Sequence, residues 1–147
     1  MPMWTIFHSP GTFTDEEKHQ LATRITDHYE RAGLPRFYVV AVFNETPPFD
    51  FYVGGQPVTN GIRIVIDHIA RTSSSAEERQ QTARWIKRIM QPHIDRHEGV
   101  YWEFHADETG SELWMIDGLV PPPAGSEAEK LWARQNSATP YEISSAI

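Results

Sequence analysis

The sequence predicts an α+β fold: two tandem β-α-β units forming a four-stranded sheet with two helices on one face, followed by a C-terminal tail. The first observation is an ungapped internal repeat. Thr14-Asp15-Glu16-Glu17-Lys18-His19-Gln20 is answered by Ser75-Ala76-Glu77-Glu78-Arg79-Gln80-Gln81. At the same offset Ala22 matches Ala83, Ile25 matches Ile86 and Phe43 matches Phe104. The second observation is that apolar runs of strand length flank each copy. The third is a rule of connection: β-α-β crossovers are right-handed, so two such units merge into one sheet with their helices on a common side. A pseudo-two-fold axis then relates the halves, at about residues 2–46 and 62–107, within one domain covering 1–147.

Residues 3–8 read as a strand, which Ser9-Pro10-Gly11 breaks. Thr14 with Glu17 three residues on is a capping-box signature, and Leu21, Ile25 and Tyr29 follow at helical spacing. Gly33-Leu34-Pro35 stops that helix, because the glycine suits a left-handed cap and the proline cannot continue the hydrogen-bond ladder. Phe37 to Phe43 is aromatic and β-branched, hence a buried strand. The linker 47–61 is rich in Pro and Gly, yet carries Phe49, Phe51 and Tyr52, so it is expected to dock on something, a neighbouring subunit included.

The second unit repeats the plan, with a strand over 62–69 and a capping box at Ser75 and Glu78. A stripe of Ala83, Ile86, Met90 and Ile94 follows, with a kink expected at Pro92. Val100 to His105 closes the unit as a strand. The tail, 119–147, holds Pro121-Pro122-Pro123, then a third capping box at Ser126 and Glu129 before a short helix with Leu131 and Trp132. Helices on one face leave the other face of the sheet uncovered. With aromatics at 12%, oligomerisation is the simplest cover.

A net charge of −7 argues against nucleic-acid and anionic-membrane partners, which need clustered Lys and Arg. The absence of cysteine excludes disulfides, thiolate zinc sites and cysteine nucleophiles. No apolar stretch approaches the roughly 20 residues that span a bilayer, and Met1-Pro2-Met3-Trp4 does not read as a signal peptide. A cytoplasmic protein is expected. His68 and His105, even with Asp67 and Asp107, show no recognised metal spacing, so no metal is expected.

The candidate chemistry starts at Pro2. Cytosolic processing removes an initiator methionine before a small residue, which would leave a secondary amine at the chain terminus. Burial or a nearby cation would lower its pKa and a carboxylate would raise it, so it could act as base, acid or nucleophile near neutral pH. Arg71 directly follows the strand at 62–69. If the two leading strands are antiparallel neighbours, Pro2 and Arg71 meet, and the guanidinium can hold a substrate carboxylate by paired hydrogen bonds.

These residues carry a family resemblance. A duplicated β-α-β chain starting Met-Pro, with Ile25-Thr26-Asp27, Val53-Gly54-Gly55 and an arginine after the third strand, resembles the tautomerase superfamily. Within it the chain is most similar to the cis-3-chloroacrylic acid dehalogenase group, over residues 2 to about 123. The resemblance implies a homotrimer without a cofactor, with Pro2 catalytic and Arg71 one of two arginines binding a small carboxylate substrate. The family pattern is also broken. Its second arginine falls at Ser74 and its helical histidine at Tyr29, with His28 one step away. Its tyrosine falls at Glu103 or Phe104, leaving Tyr101 as substitute, and its water-activating glutamate is nearest Glu112. Trp102, Trp114 and Trp132 read as core or interface residues, with Trp114, close to Glu112, also a candidate to line the pocket.

The expected function is therefore keto–enol tautomerisation of a small 2-oxo acid or enol carboxylate. Pro2 would be the base, Tyr29 a donor to the carbonyl oxygen and Arg71 the carboxylate anchor, with Tyr101, Glu103 and Trp114 as further substrate contacts. One alternative is hydration or dehalogenation of an unsaturated three-carbon acid, with Glu112 or Glu103 activating water. Another is a non-catalytic trimeric binding protein that keeps the fold alone.

Overall fold

The computed structural model describes residues 1–142; the last part of the expected tail, 143–147, lies outside the described residues. Four strands form the main sheet: β1 (Pro2–His8), β2 (Val40–Glu45), β5 (Gly61–Ile69) and β6 (Tyr101–Thr109). The order is β2-β1-β5-β6, with β1 parallel to β2, β5 parallel to β6, and β1 antiparallel to β5 at the centre. The antiparallel centre is what the pseudo-two-fold requires. Helices α1 (Asp15–Arg31) and α2 (Ala76–Ile94) supply the two crossovers.

Strand periodicity decides which side chains meet the helices. Trp4, Ile6 and His8 of β1 are buried, as are Ile62, Ile64 and Ile66 of β5. They close against Leu21, Ile25 and Tyr29 of α1 and Ile86, Ile89 and Met90 of α2. The alternate positions Met3, Thr5, Phe7 and Val65 are only half-buried, and Val42 is exposed. That open face carries a polar chain in which Arg63 pairs with Glu103 at 2.9 Å and meets His105, itself 3.3 Å from Asp107.

Three local departures from the expected elements have physical causes. Residues 36–38 form a single 3-10 turn after Pro35, not strand, and this turn swings Tyr38 into the core. Pro92 lies inside α2, which runs on to Ile94. A proline has no N–H for the carbonyl four residues back, at Arg88; that carbonyl instead accepts from the Arg24 guanidinium of α1 at 3.2 Å. The linker folds into a small hairpin, β3 (Tyr52–Val53) with β4 (Gln56–Pro57), turning through Gly54 and Gly55 at φ 58° and 79°. Two successive positive φ angles define the turn that matches strand twist, and glycine adopts them without strain. Phe51 packs over Gly61, where a Cβ would collide with it and with Val58. Phe49, 77% exposed, and Tyr52 remain in solvent.

The three capping signatures resolve into two patterns. At α1 the box is complete: Thr14 Oγ1 accepts from the Glu17 N–H, and the Glu17 carboxylate accepts from the Thr14 N–H. At α2 and at α3 (Glu127–Gln135) the serine caps its helix, but the glutamate reaches one residue further back. Glu78 accepts from Ser74 N–H and Glu129 from Gly125 N–H. The tail is tied down by α3. Trp132 is fully buried beside Phe37, Tyr38 and Tyr141, and Asn136 accepts from the Phe37 N–H.

Candidate active site

Pro2 opens β1 directly opposite His68 of β5. One step outward, Met1 and Ile69 exchange backbone hydrogen bonds: Ile69 N–H donates to the Met1 carbonyl at 2.7 Å, and the terminal amine donates to the Ile69 carbonyl at 2.5 Å. The start of the chain is thus locked into the sheet, where a loose terminus would fray. Burial, reinforced by the Arg71 charge, lowers the pKa of that amine from 8.0 to about 5, and the Glu129 carboxylate opposes the shift. The Met1 amine is therefore neutral at pH 7.

On the helical side of Pro2 stands a hydrogen-bonded row. The indole N–H of Trp4 donates to the Tyr29 hydroxyl at 3.1 Å. Burial lowers the His68 pKa, so the imidazole is neutral and accepts the Tyr29 O–H on Nε2 at 2.6 Å. Burial also raises the Tyr29 pKa, which keeps its proton on oxygen. Trp85 of α2 stacks on His28 at 4.1 Å and meets the edge of Tyr29 at 5.3 Å. Met1, Pro2, His28, Tyr29, His68 and Arg71 share the wall of a cavity of about 390 Å³.

Arg71 follows the single turn residue Ala70, whose φ of 64° bends the chain sharply out of β5. Its Nη2 donates to Glu129 at 2.8 Å, while Nη1 has only a long 3.5 Å contact to the Ala70 carbonyl. Glu129 is 3% exposed and holds both Arg71 and the Gly125 N–H. A buried carboxylate needs such partners to remain charged. A second cavity, about 690 Å³, lies on this side between the sheet end and the tail. Its wall includes Met1, Tyr38, Arg71, Glu112, Trp114 and Glu129. Met1 and Arg71 belong to both cavities, so the first residue stands between them.

Of the residues expected from sequence, the structure gathers Pro2, Tyr29 and Arg71 around one cavity, and Arg71, Glu112 and Trp114 around the other. Tyr101 and Glu103 lie at the opposite end of β6, paired in register with Gly61 and Arg63, away from Pro2 within one chain. His28, one step from Tyr29 along the helix, reaches the same cavity. Ser74, at the position of the second arginine, gives its N–H to Glu78. Sequence reasoning missed three residues. His68 was visible only as a strand histidine, Glu129 as a cap, and Tyr38 as one more aromatic. The register of β5 on β1 could have found His68; the other two depend on how the tail packs. Among the described residues no three ligating side chains gather to hold a metal.

With this geometry in place, the comparisons define first the class and then the family. Solved structures with the same architecture include N1, a member of the cis-3-chloroacrylic acid dehalogenase family. It is 20% identical with a TM-score of 0.67, covering 91% of this chain and 97% of its own. This is the tautomerase fold. The chain belongs to the tautomerase family described as "Putative oxalocrotonate tautomerase enzyme", which matches residues 1–137. Native RhCC from Rhodococcus jostii RHA1 is 43% identical, with a TM-score of 0.88 over 95% of this chain and 99% of that one. A protein of Aspergillus fumigatus described as "a probable enzyme" is 42% identical, with a TM-score of 0.89 over 96% and 98%. No curated protein matches the chain.

Proposed function

We propose that the chain is a cofactor-independent keto–enol tautomerase acting on a small 2-oxo acid or its enol, with Pro2 as general base once Met1 is removed. One observation supports this above the rest: the terminal amine of Met1, one residue before β1, has its pKa lowered to about 5 by burial and the Arg71 charge, so this end of the strand favours a neutral amine. The Pro2 nitrogen would inherit the neighbourhood of Arg71 and His68. As a neutral secondary amine it would take the enol or α-carbon proton and return it to carbon, while Arg71 anchors the carboxylate and stabilises the developing enolate charge. On binding, the Tyr29 hydroxyl would turn its proton from His68 Nε2 to the oxo oxygen. This reading takes the protein to be cytoplasmic. We also propose a homotrimer built through the open sheet face and the exposed 49–53 segment; two fused 4-OT proteins of the same fold are described as asymmetric trimers.

The test is ketonisation of an enol acid by protein whose intact mass shows Met1 gone. Pro2→Ala, with the same removal verified, should lower kcat/KM by about 10²-fold, the lower range for a general base. Unchanged activity would remove the proline mechanism. The rate should rise with pH through the pKa of the Pro2 amine and then level off, because the neutral amine is the active form.

A second reading rests on Glu112, which shares the tail-side cavity with Arg71. Hydration of an unsaturated acid would use Glu112 on water and a protonated Pro2 as acid, so its rate would fall as pH rises. That opposite slope separates the two. A preparation that keeps Met1 has an amide at Pro2, and a binding protein without catalysis would be the outcome.

A further inference from the structure

The cavity that holds Pro2 runs along one side of α2. Glu78, Gln81, Thr82 and Trp85 all stand in its wall, and residues spaced by three, four and seven share one face of a helix. That face changes character along its length. Its first turn lies next to Arg71, because only Thr72, Ser73 and Ser74 separate the arginine from the Ser75 cap, and there the wall is polar. Trp85 comes two turns later, about 10 Å along the axis from Glu78 at 1.5 Å per residue. The α2 side chains buried in the core are others, Ile86, Ile89 and Met90 among them, so Trp85 is only half-buried and keeps surface toward the cavity. Its ring is held in place, stacked on His28 at 4.1 Å with the planes 22° apart and meeting the Tyr29 edge at 5.3 Å. Charge is distributed just as unevenly. Arg71 is the one Lys or Arg in this wall among the described residues. His28 and His68 are neutral at pH 7, because burial lowers the pKa of both, and Glu78 is an anion.

We propose that Trp85 is the specificity-determining residue of the Pro2 cavity: it receives a planar apolar substituent of a monocarboxylic 2-oxo acid whose carboxylate Arg71 holds. The proposal rests on the tautomerase reading, from which it takes the 2-oxo acid and the contact at Arg71, and it adds the class of substituent. A three-carbon acid anchored at Arg71 fills a small part of about 390 Å³ and leaves the indole unmet. A dicarboxylate brings a second charge into a wall that offers no second cation and presents Glu78 as an anion. A flat apolar group suits the space, because it removes apolar surface from water and meets an aromatic ring whose orientation is already fixed. Arg71 at one end and Trp85 at the other then lay the substrate across Pro2.

Calorimetric binding at pH 7 to protein with Met1 removed tests this without depending on turnover. The probes are phenylpyruvate, with a planar apolar substituent, pyruvate, its three-carbon parent, and 2-oxoglutarate, a dicarboxylate. Phenylpyruvate should bind about 10-fold more tightly than either, the low end for burying one large apolar group. Pyruvate or 2-oxoglutarate binding as tightly would overturn the assignment on the parent protein alone, whatever the variants do. Trp85→Leu keeps apolar bulk and loses the flat ring. It should weaken phenylpyruvate about 3- to 10-fold, the range of an aromatic pair, and leave pyruvate unchanged, while Trp85→Phe should recover most of the loss. Unchanged phenylpyruvate affinity in Trp85→Leu would refute the role, and so would equal losses for phenylpyruvate and pyruvate, since the indole would then serve the fold. If the preference depends on Trp85 while Pro2→Ala retains full ketonisation, the substrate assignment stands and the proline mechanism falls. If Pro2→Ala loses turnover while Trp85→Leu keeps the preference, the assignment alone is rejected.

Discussion

Glu129 shows how one side chain joins the tail to the site. Its carboxylate, placed in the first turn of α3 by the Ser126 cap, takes Gly125 N–H at 2.7 Å and Arg71 Nη2 at 2.8 Å. Arg71 is a third exposed, so the pair is not a sealed one, and the value of the contact lies mainly in satisfying the buried carboxylate. Glu129→Ala should therefore destabilise the protein by about 1–3 kcal/mol, the usual penalty for orphaned buried partners, read as a lower urea midpoint. Arg71 would lose its fixed direction at the same time, so KM for a carboxylate substrate should rise more than kcat falls. At this scale the sequence was a poor guide. Ser126 and Glu129 spell a capping box as well as Thr14 and Glu17 do, yet only the latter closes on itself.

The elements follow their local signals closely where helix and strand periodicity is strong. Both long helices start at their capping residues; α1 buries Leu21, Ile25 and Tyr29 as expected, while α2 buries Ile86, Met90 and Ile94 but leaves Ala83 exposed. The Thr14 box is the complete one, so Thr14→Ala should cost about 1 kcal/mol, measurable as a shift in denaturation midpoint. α2 carries a more specific dependence. Pro92 leaves the Arg88 carbonyl to Arg24 of the other helix, so the two substitutions should couple. Arg24→Ala should cost about 0.5–1 kcal/mol in the native sequence and less in a Pro92→Ala background, where a backbone N–H reaches the carbonyl again. Additive effects would show that the contact contributes nothing. The turn at 36–38 was read as strand because Phe37 and Tyr38 favour strands by composition. The Pro35 constraint and the tail packing against the turn prevail over that preference.

Across the whole molecule, acid should act on several histidines at once. Burial lowers the pKa of His28, His68 and His93. A histidine with a depressed folded pKa stabilises the fold fully above its unfolded value near 6.5 and loses that contribution as pH falls below it, because the unfolded chain binds the proton first. Glu17, Glu78 and Glu108, lowered by hydrogen bonds to backbone N–H groups, act in the same direction at lower pH, below about 4.5. Stability should therefore decline from pH 6.5 downward in two stages, which a series of thermal melts would resolve; a flat profile between pH 7 and 5 would contradict the histidine assignments. The open sheet face makes the other prediction at this scale. Sedimentation should give a trimer at micromolar concentration, and Val42→Asp, a charge on that face, should dissociate it.

Repeat and periodicity by themselves determined the two units, while the antiparallel centre that brings Pro2 and Arg71 to one cavity wall was an expectation that the strand register bears out. These depend on local spacing and on a connection rule that holds wherever β-α-β units merge. The tertiary structure alone decided what surrounds that meeting point: His68 facing Pro2, Glu129 holding Arg71, and Tyr38 buried beside them. Each of these depends on contacts between segments distant in the chain. The direction of a buried carboxylate or phenol is set by which neighbours exclude water from it, and no residue spacing encodes that.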